Sequence, residues 1–135
     1  HRFIMTFRSE GFNAPRLEER LTDLTAQDIF VPEMMIIDGL SFETDHRSEL
    51  EALKALARQL HLPVWFTITT HRHEELAEDG LPMQLSPVQD LFDAALTINP
   101  EQDAIHIRAI KGTLKDEAEP ALILDPATML IQRQS

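Results

Sequence analysis

The chain has 135 residues, 43% of them hydrophobic, which is enough for one domain with a buried core and short for two. Its formal charge of −11, from 23 acidic against 12 basic residues, opposes a broad nucleic-acid footprint, because phosphate binding needs concentrated Lys and Arg; any such contact would be local or made by an oligomer. There is no cysteine, which excludes disulfides and thiolate metal sites; no run approaches the roughly 20 apolar residues of a transmembrane helix, and His1-Arg2-Phe3-Ile4 lacks a signal peptide's layout, so a soluble cytoplasmic protein without membrane attachment is expected.

Arg2 to Phe7 suits a strand, and since the chain opens in the middle of it and without Met, a fragment of something longer is expected. Asn13-Ala14-Pro15 offers a helix cap followed by a proline in the first turn. That helix should run to about Ala26, with Leu17, Leu21 and Leu24 at i, i+4, i+7 on one face. Asp28 to Pro32 connects into Met34-Met35-Ile36-Ile37-Asp38-Gly39. Four apolar residues followed by a carboxylate and a glycine read as a buried parallel strand whose tip presents Asp38 at the crevice where α/β sheets bind ligands.

After a polar loop around Ser41 to Arg47, the residues Leu50, Leu53, Leu56, Ala57 and Leu60 mark an amphipathic helix that His61-Leu62-Pro63 stops. Val64 to Thr69 is a strongly β-prone strand ending at Thr70-His71-Arg72. Strand, helix, strand, helix, strand is the order that builds a parallel sheet with right-handed crossovers. Glu74 to Pro87, with Gly80, Pro82 and Pro87, reads as a loop or broken helix over the C-terminal edge of that sheet, and Val88 to Phe92 as a short helix. Ala94 to Ile98, Ala104 to Ile110 and Ala121 to Leu124 follow as strands, with Met129 to Gln132 a candidate last one. Asn99 to Asp103 joins the first pair as a turn, giving an antiparallel meander on the sheet edge.

Asp38 chemically suits magnesium, a hard cation that takes carboxylate oxygen and keeps several waters; the alternative is an aspartate capping a turn with Gly39. A nucleotide site also needs a phosphate loop such as G-x-x-x-x-G-K-[ST], and the four glycines, Gly11, Gly39, Gly80 and Gly112, are scattered without that pattern. His71 and His73 alternate on an extended segment and so point the same way, but no third and fourth ligand follows at a recognised spacing, and zinc is not expected.

Taken in order, these pieces resemble the RecA-like P-loop ATPase family, especially its KaiC, DnaB and RadA-like branches, from the point after the family's phosphate loop to the end of the chain. Phe7-Arg8-Ser9-Glu10 looks like the strand end that bears the family's catalytic glutamate, with the DnaB-like spacing placing it at Glu10. Met34 to Phe42 (MMIIDGLSF) resembles the second nucleotide-binding strand, the Walker B element. Leu53 to Val64 is similar to the helix that leads into the sensor strand, and Thr69-Thr70-His71 sits where a polar residue would monitor the γ-phosphate. Ile107 to Thr113 is similar to the hairpin whose basic residues reach a neighbouring subunit's nucleotide; here those residues are Arg108 and Lys111.

The resemblance implies a three-layer α/β RecA-like fold, a mostly parallel sheet with an antiparallel C-terminal edge, filling residues 1–135. It implies ATP hydrolysis with Mg²⁺ in the intact protein: Asp38 supporting the metal, Glu10 positioning water, Thr70 or His71 sensing phosphate, and Arg108 and Lys111 reaching across a ring interface. Without a phosphate loop, this chain alone should bind neither ATP nor Mg²⁺ tightly. Self-association is expected, as a ring in the family and as a dimer for this fragment, through residues near Phe3, Ile4 and Trp65. The rival is a non-catalytic RecA-like regulatory or assembly domain, and a third possibility is an unrelated small α/β regulatory domain.

Overall fold

Helix α1 (Ala14–Ala26) starts where local chemistry dictates: the Asn13 side chain accepts a hydrogen bond from the Arg16 N–H at 3.0 Å, and Pro15 occupies the first turn. Helix α2 (Arg47–Leu60) ends at His61, whose left-handed backbone (φ 55°) lets Leu62 N–H reach the Ala57 carbonyl at 2.9 Å before Pro63 blocks continuation. Between and after them run β1 (Met35–Asp38) and β2 (Val64–Thr67). The computed structural model describes residues 2–40, 42, 46–70, 75–101, 104–112, 122–128 and 130–133.

The protein is of mixed α/β class and forms two compact units, His1–Leu91 and Phe92–Ser135. In the first, β1 and β2 pair in parallel, with Met35 opposite Val64 and Asp38 opposite Thr67, and α2 makes the crossover. Burial alternates along both strands. Met35, Ile37 and Phe66 pack against the buried cluster of Ala14, Leu17, Leu21, Leu53 and Leu56, so both helices cover one face of the pair. On the other face Ile36 and Trp65 stand side by side, 62% and 47% exposed. Trp65 is therefore the outward member of the Trp65-Phe66 pair.

The expected strand at Arg2 to Phe7 is not formed. The segment keeps a strand's alternation, with Met5 and Phe7 packed on the core while Thr6 and Arg8 are exposed, yet it joins no ladder among the described residues. A strand exists only through a partner's hydrogen bonds, whereas these side chains gain their burial from the helices; Phe7 also meets Phe12 edge to face at 5.3 Å. Residues 75–91 form a tight turn and a 3-10 segment (Ser86–Leu91) that packs against α2. Asp79 organises it by accepting from the Leu81 N–H (3.0 Å), the Ser86 hydroxyl (2.7 Å) and the Gln89 amide (2.9 Å). The Ser86 hydroxyl first, and then the Leu81 N–H, hold the Asp79 carboxyl below its ordinary value. Leu81, Leu85 and Val88 are buried.

The second unit is the antiparallel meander the sequence suggests: β3 (Ala95–Glu101), β4 (Ala104–Lys111), β5 (Leu122–Leu124) and β6 (Ile131–Arg133), in that spatial order. It is a sheet of its own rather than the edge of the β1–β2 pair. Pairing runs on to Glu101 opposite Ala104, so Asn99 and Pro100 are strand rather than turn; proline's missing donor is tolerated because β3 is an edge strand. The hairpin connection Gln102-Asp103, and Ala121 and Met129 from the expected strand starts, lie outside the described residues.

Candidate functional site

The parallel register brings two polar side chains to one strand end. Asp38 and Thr67 are register partners at the carboxyl ends of β1 and β2, on the same exposed face as Ile36 and Trp65. The Thr67 hydroxyl donates to Asp38 Oδ1, and this is the one hydrogen bond Asp38 makes among the described residues. Among the described residues nothing bonds its Oδ2, which leaves that oxygen open to solvent or a ligand. Gly39 then turns the chain with φ 80°, a conformation that favours glycine, and apart from its two chain neighbours no described residue lies within 4 Å of where its Cβ would be. The apolar β1 thus delivers an accessible carboxylate to the carboxyl end of a parallel strand pair, the end at which α/β sheets generally bind ligands.

Thr67 is the participant that the sequence pattern does not single out. β2 ends there, two residues short of the expected boundary, and the threonine that meets Asp38 is Thr67 rather than Thr70. The available signal is the alternation Val64-Trp65-Phe66-Thr67 against Met35-Ile36-Ile37-Asp38, which aligns the two polar tips once a parallel register is assumed. Thr70 is exposed beyond the strand end and makes no hydrogen bond among the described residues. His71, with His73, lies outside the described residues. Glu10 is exposed in the 3-10 turn Ser9–Gly11 that precedes α1, and among the described residues it forms no hydrogen bond or ion pair with Asp38, Thr67 or Thr70.

Arg108 and Lys111 belong to the second unit, on β4. Arg108 shares a sheet face with Thr97, Asn99, Glu101 and His106, and its guanidinium lies 3.6 Å from Glu101 Oε1. His106 Nε2 lies 3.8 Å from the other oxygen of the same carboxylate. Lys111 is the last residue of β4, opposite Ala95 and beyond a register irregularity that separates it from the regular pairing of Arg108.

As a cation site, Asp38 offers one open carboxylate oxygen beside a hydroxyl. That donor set fits magnesium carried on a phosphate, which needs only one or two protein carboxylates and keeps its waters. Among the described residues no group of three or more His, Cys, Asp or Glu is placed to hold a metal by itself, and no helix is long and apolar enough to cross a membrane. Neither a family model, nor a curated protein, nor a solved structure matches this chain.

Proposed function

We propose that the β1–α2–β2 unit is the metal-side half of a RecA-like nucleotide site, with ATP hydrolysis belonging to the intact protein rather than to these residues alone. The observation that carries this reading is the accessible Asp38 carboxylate, steadied by Thr67, at the carboxyl end of a parallel strand pair with a helical crossover. Asp38, with Thr67 beside it, would hold Mg²⁺ on the nucleotide phosphates, where the ion neutralises charge that develops during phosphoryl transfer. Glu10 would orient the attacking water, Thr70 or His71 would hydrogen-bond a phosphate oxygen, and Arg108 and Lys111 would serve a neighbouring subunit's nucleotide. A three-layer RecA-like architecture, a cytoplasmic location and ring assembly belong to the same reading. The anion cradle of a phosphate loop is not encoded in these residues, so binding should be no tighter than roughly millimolar, about −4 kcal/mol.

Titration with Mn²⁺–ATP tests this. Paramagnetic broadening should centre on the amides of Asp38, Gly39 and Thr67 and disappear in Asp38→Ala. Broadening that bypasses these residues, or survives the substitution, sinks the assignment; micromolar affinity would overturn the half-site.

The second reading is a non-catalytic assembly domain, favoured by the open apolar face with Ile36 and Trp65 and by Ile4, 85% exposed. It requires a defined oligomer in sedimentation that Trp65→Ser disperses, and no manganese effect at Asp38. A monomer at high concentration removes it.

A further inference from the structure

We propose, resting only on the Mg²⁺ role of Asp38 in the ATPase reading, that Trp65 is the base platform of that site. A metal-bound nucleotide stacks its base on the indole while its phosphates carry the ion to the Asp38 carboxylate.

Four side chains share the outward face of the parallel pair. Ile36 and Trp65 are register partners, Asp38 and Thr67 are the next partners on that face, and the inward residues Met35, Ile37 and Phe66 belong to the core. Two residues of strand advance about 6.6 Å and neighbouring strands lie about 4.8 Å apart, so the attachment points of the indole and of Asp38 are about 8 Å apart. A ribose sets a base and its first phosphates at a comparable separation. Trp65 is 47% exposed although Ile36 stands beside it, and among the described residues no further strand lies against its other flank. Its ring has only two side-chain torsions to fix, so covering it costs little freedom.

What each end of this face needs decides the occupant. Trp65 and Ile36 favour a planar, largely apolar surface, which every nucleobase offers to an aromatic ring. Asp38 keeps one carboxylate oxygen unbonded among the described residues, and apolar surface alone would strip water from its charge. A second copy of the same face would bring another uncompensated carboxylate into the contact, on a chain already at −11. An arginine from a peptide would use both oxygens for its fork, whereas the Thr67 hydroxyl holds Oδ1. A hard metal ion needs one protein oxygen, and phosphates and water complete its shell. A planar ring at one end and a phosphate-bound cation at the other together describe a nucleotide.

Two probes separate base from phosphate: Mg²⁺–ATP, and Mg²⁺–tripolyphosphate, which lacks base and ribose, each with Mn²⁺ replacing Mg²⁺ for NMR. With both, broadening should reach the amides of Asp38, Gly39 and Thr67. Only ATP should quench the fluorescence of Trp65, the sole tryptophan. Stacking should make ATP bind roughly fivefold or more tighter than tripolyphosphate. Trp65→Leu should remove that difference by weakening ATP alone, and Trp65→Phe should keep part of it. Broadening at Asp38 without quenching at Trp65, or a Trp65→Leu loss that is equal for the two probes, overturns the platform and leaves the Asp38 assignment in place. Broadening that misses Asp38 with both probes removes that assignment and the platform with it. Trp65 emission that shifts with protein concentration in the unliganded chain would show a second copy covering the face, and would overturn the proposal as well.

Discussion

Replacing Glu49 should cost more stability than its place on the surface of α2 suggests. Its Oε1 accepts the Ala14 backbone N–H at 2.7 Å, across 35 residues of sequence, in a partly buried setting. Ala14 is the first residue of α1, so the carboxylate satisfies one of the four N–H groups that a helix N-terminus leaves unpaired, while sitting in the first turn of its own helix as well. A hydrogen bond to a charged acceptor contributes about 1.5–3 kcal/mol, and partial exposure selects the lower end. The favourable charge–dipole interaction is largely the same attraction seen from farther away, so the two are not added. Glu49→Ala should therefore lose about 1.5 kcal/mol and Glu49→Gln, which keeps an acceptor oxygen without the charge, about half of that. Urea unfolding followed by Trp65, the sole tryptophan, reads the unit that contains both helices. The midpoint should fall with no change in slope. Glu51→Ala, two residues further along the same helix and paired with exposed Arg47, is the control and should shift stability by no more than about 0.5 kcal/mol. If Glu49→Ala behaves like that control, or if Glu49→Gln is as damaging as Glu49→Ala, the inter-helix cap is not what joins α1 to α2.

Gly112→Ala should destabilise the second unit by about 2 kcal/mol or more, because φ is 100° and the new Cβ would stand 2.9 Å from the Asp93 carbonyl and 3.1 Å from the Ala94 Cβ; thermal unfolding by circular dichroism checks it, and a neutral outcome would mean that the turn relaxes freely. Asp79 has a depressed folded pKa, set first by the Ser86 hydroxyl and then by the Leu81 N–H, so its stabilisation is present above the ordinary value of 3.8 and is lost as pH falls through the folded value. Asp79→Ala should lower the melting temperature at neutral pH, with the gap to the parent chain closing only below that window; a gap independent of pH would point to lost packing instead.

What was legible in the sequence is what local chemistry determines. Asn13 and Pro15 start α1, and His61 and Pro63 end α2, because caps and stops act within a few residues. The β3–β4 hairpin of the C-terminal meander was legible for the same reason, since only two residues separate its strands. Arg2 to Phe7 has the composition of a strand, but whether a segment becomes one depends on a distant partner edge that its own residues do not specify. Proline misled at Asn99-Pro100, where the edge position of β3 overrides its usual association with turns. Thr67 and Glu49 were invisible for a related reason: one acquires its role from the β1–β2 register, the other from the packing of two helices.

Three aspartates in turns or at strand ends show why Asp38 is a candidate site and its relatives are not. Asp79 fills its carboxylate with donors from Leu81, Ser86 and Gln89, and Asp125 accepts the N–H groups of Ala127 and Thr128 at 2.8 and 3.2 Å; both carboxyls are held below their ordinary value, Asp79 by Ser86 and then Leu81, Asp125 by Ala127 and then Thr128. Such a group has spent its lone pairs on the fold, and a ligand would have to displace bonds that already stabilise the charge. Asp38 has given one oxygen to Thr67 and kept the other open. A binding group has to tolerate that incompleteness until its ligand arrives, which for an ionised carboxylate is inexpensive only where water can reach it, as at this exposed strand tip.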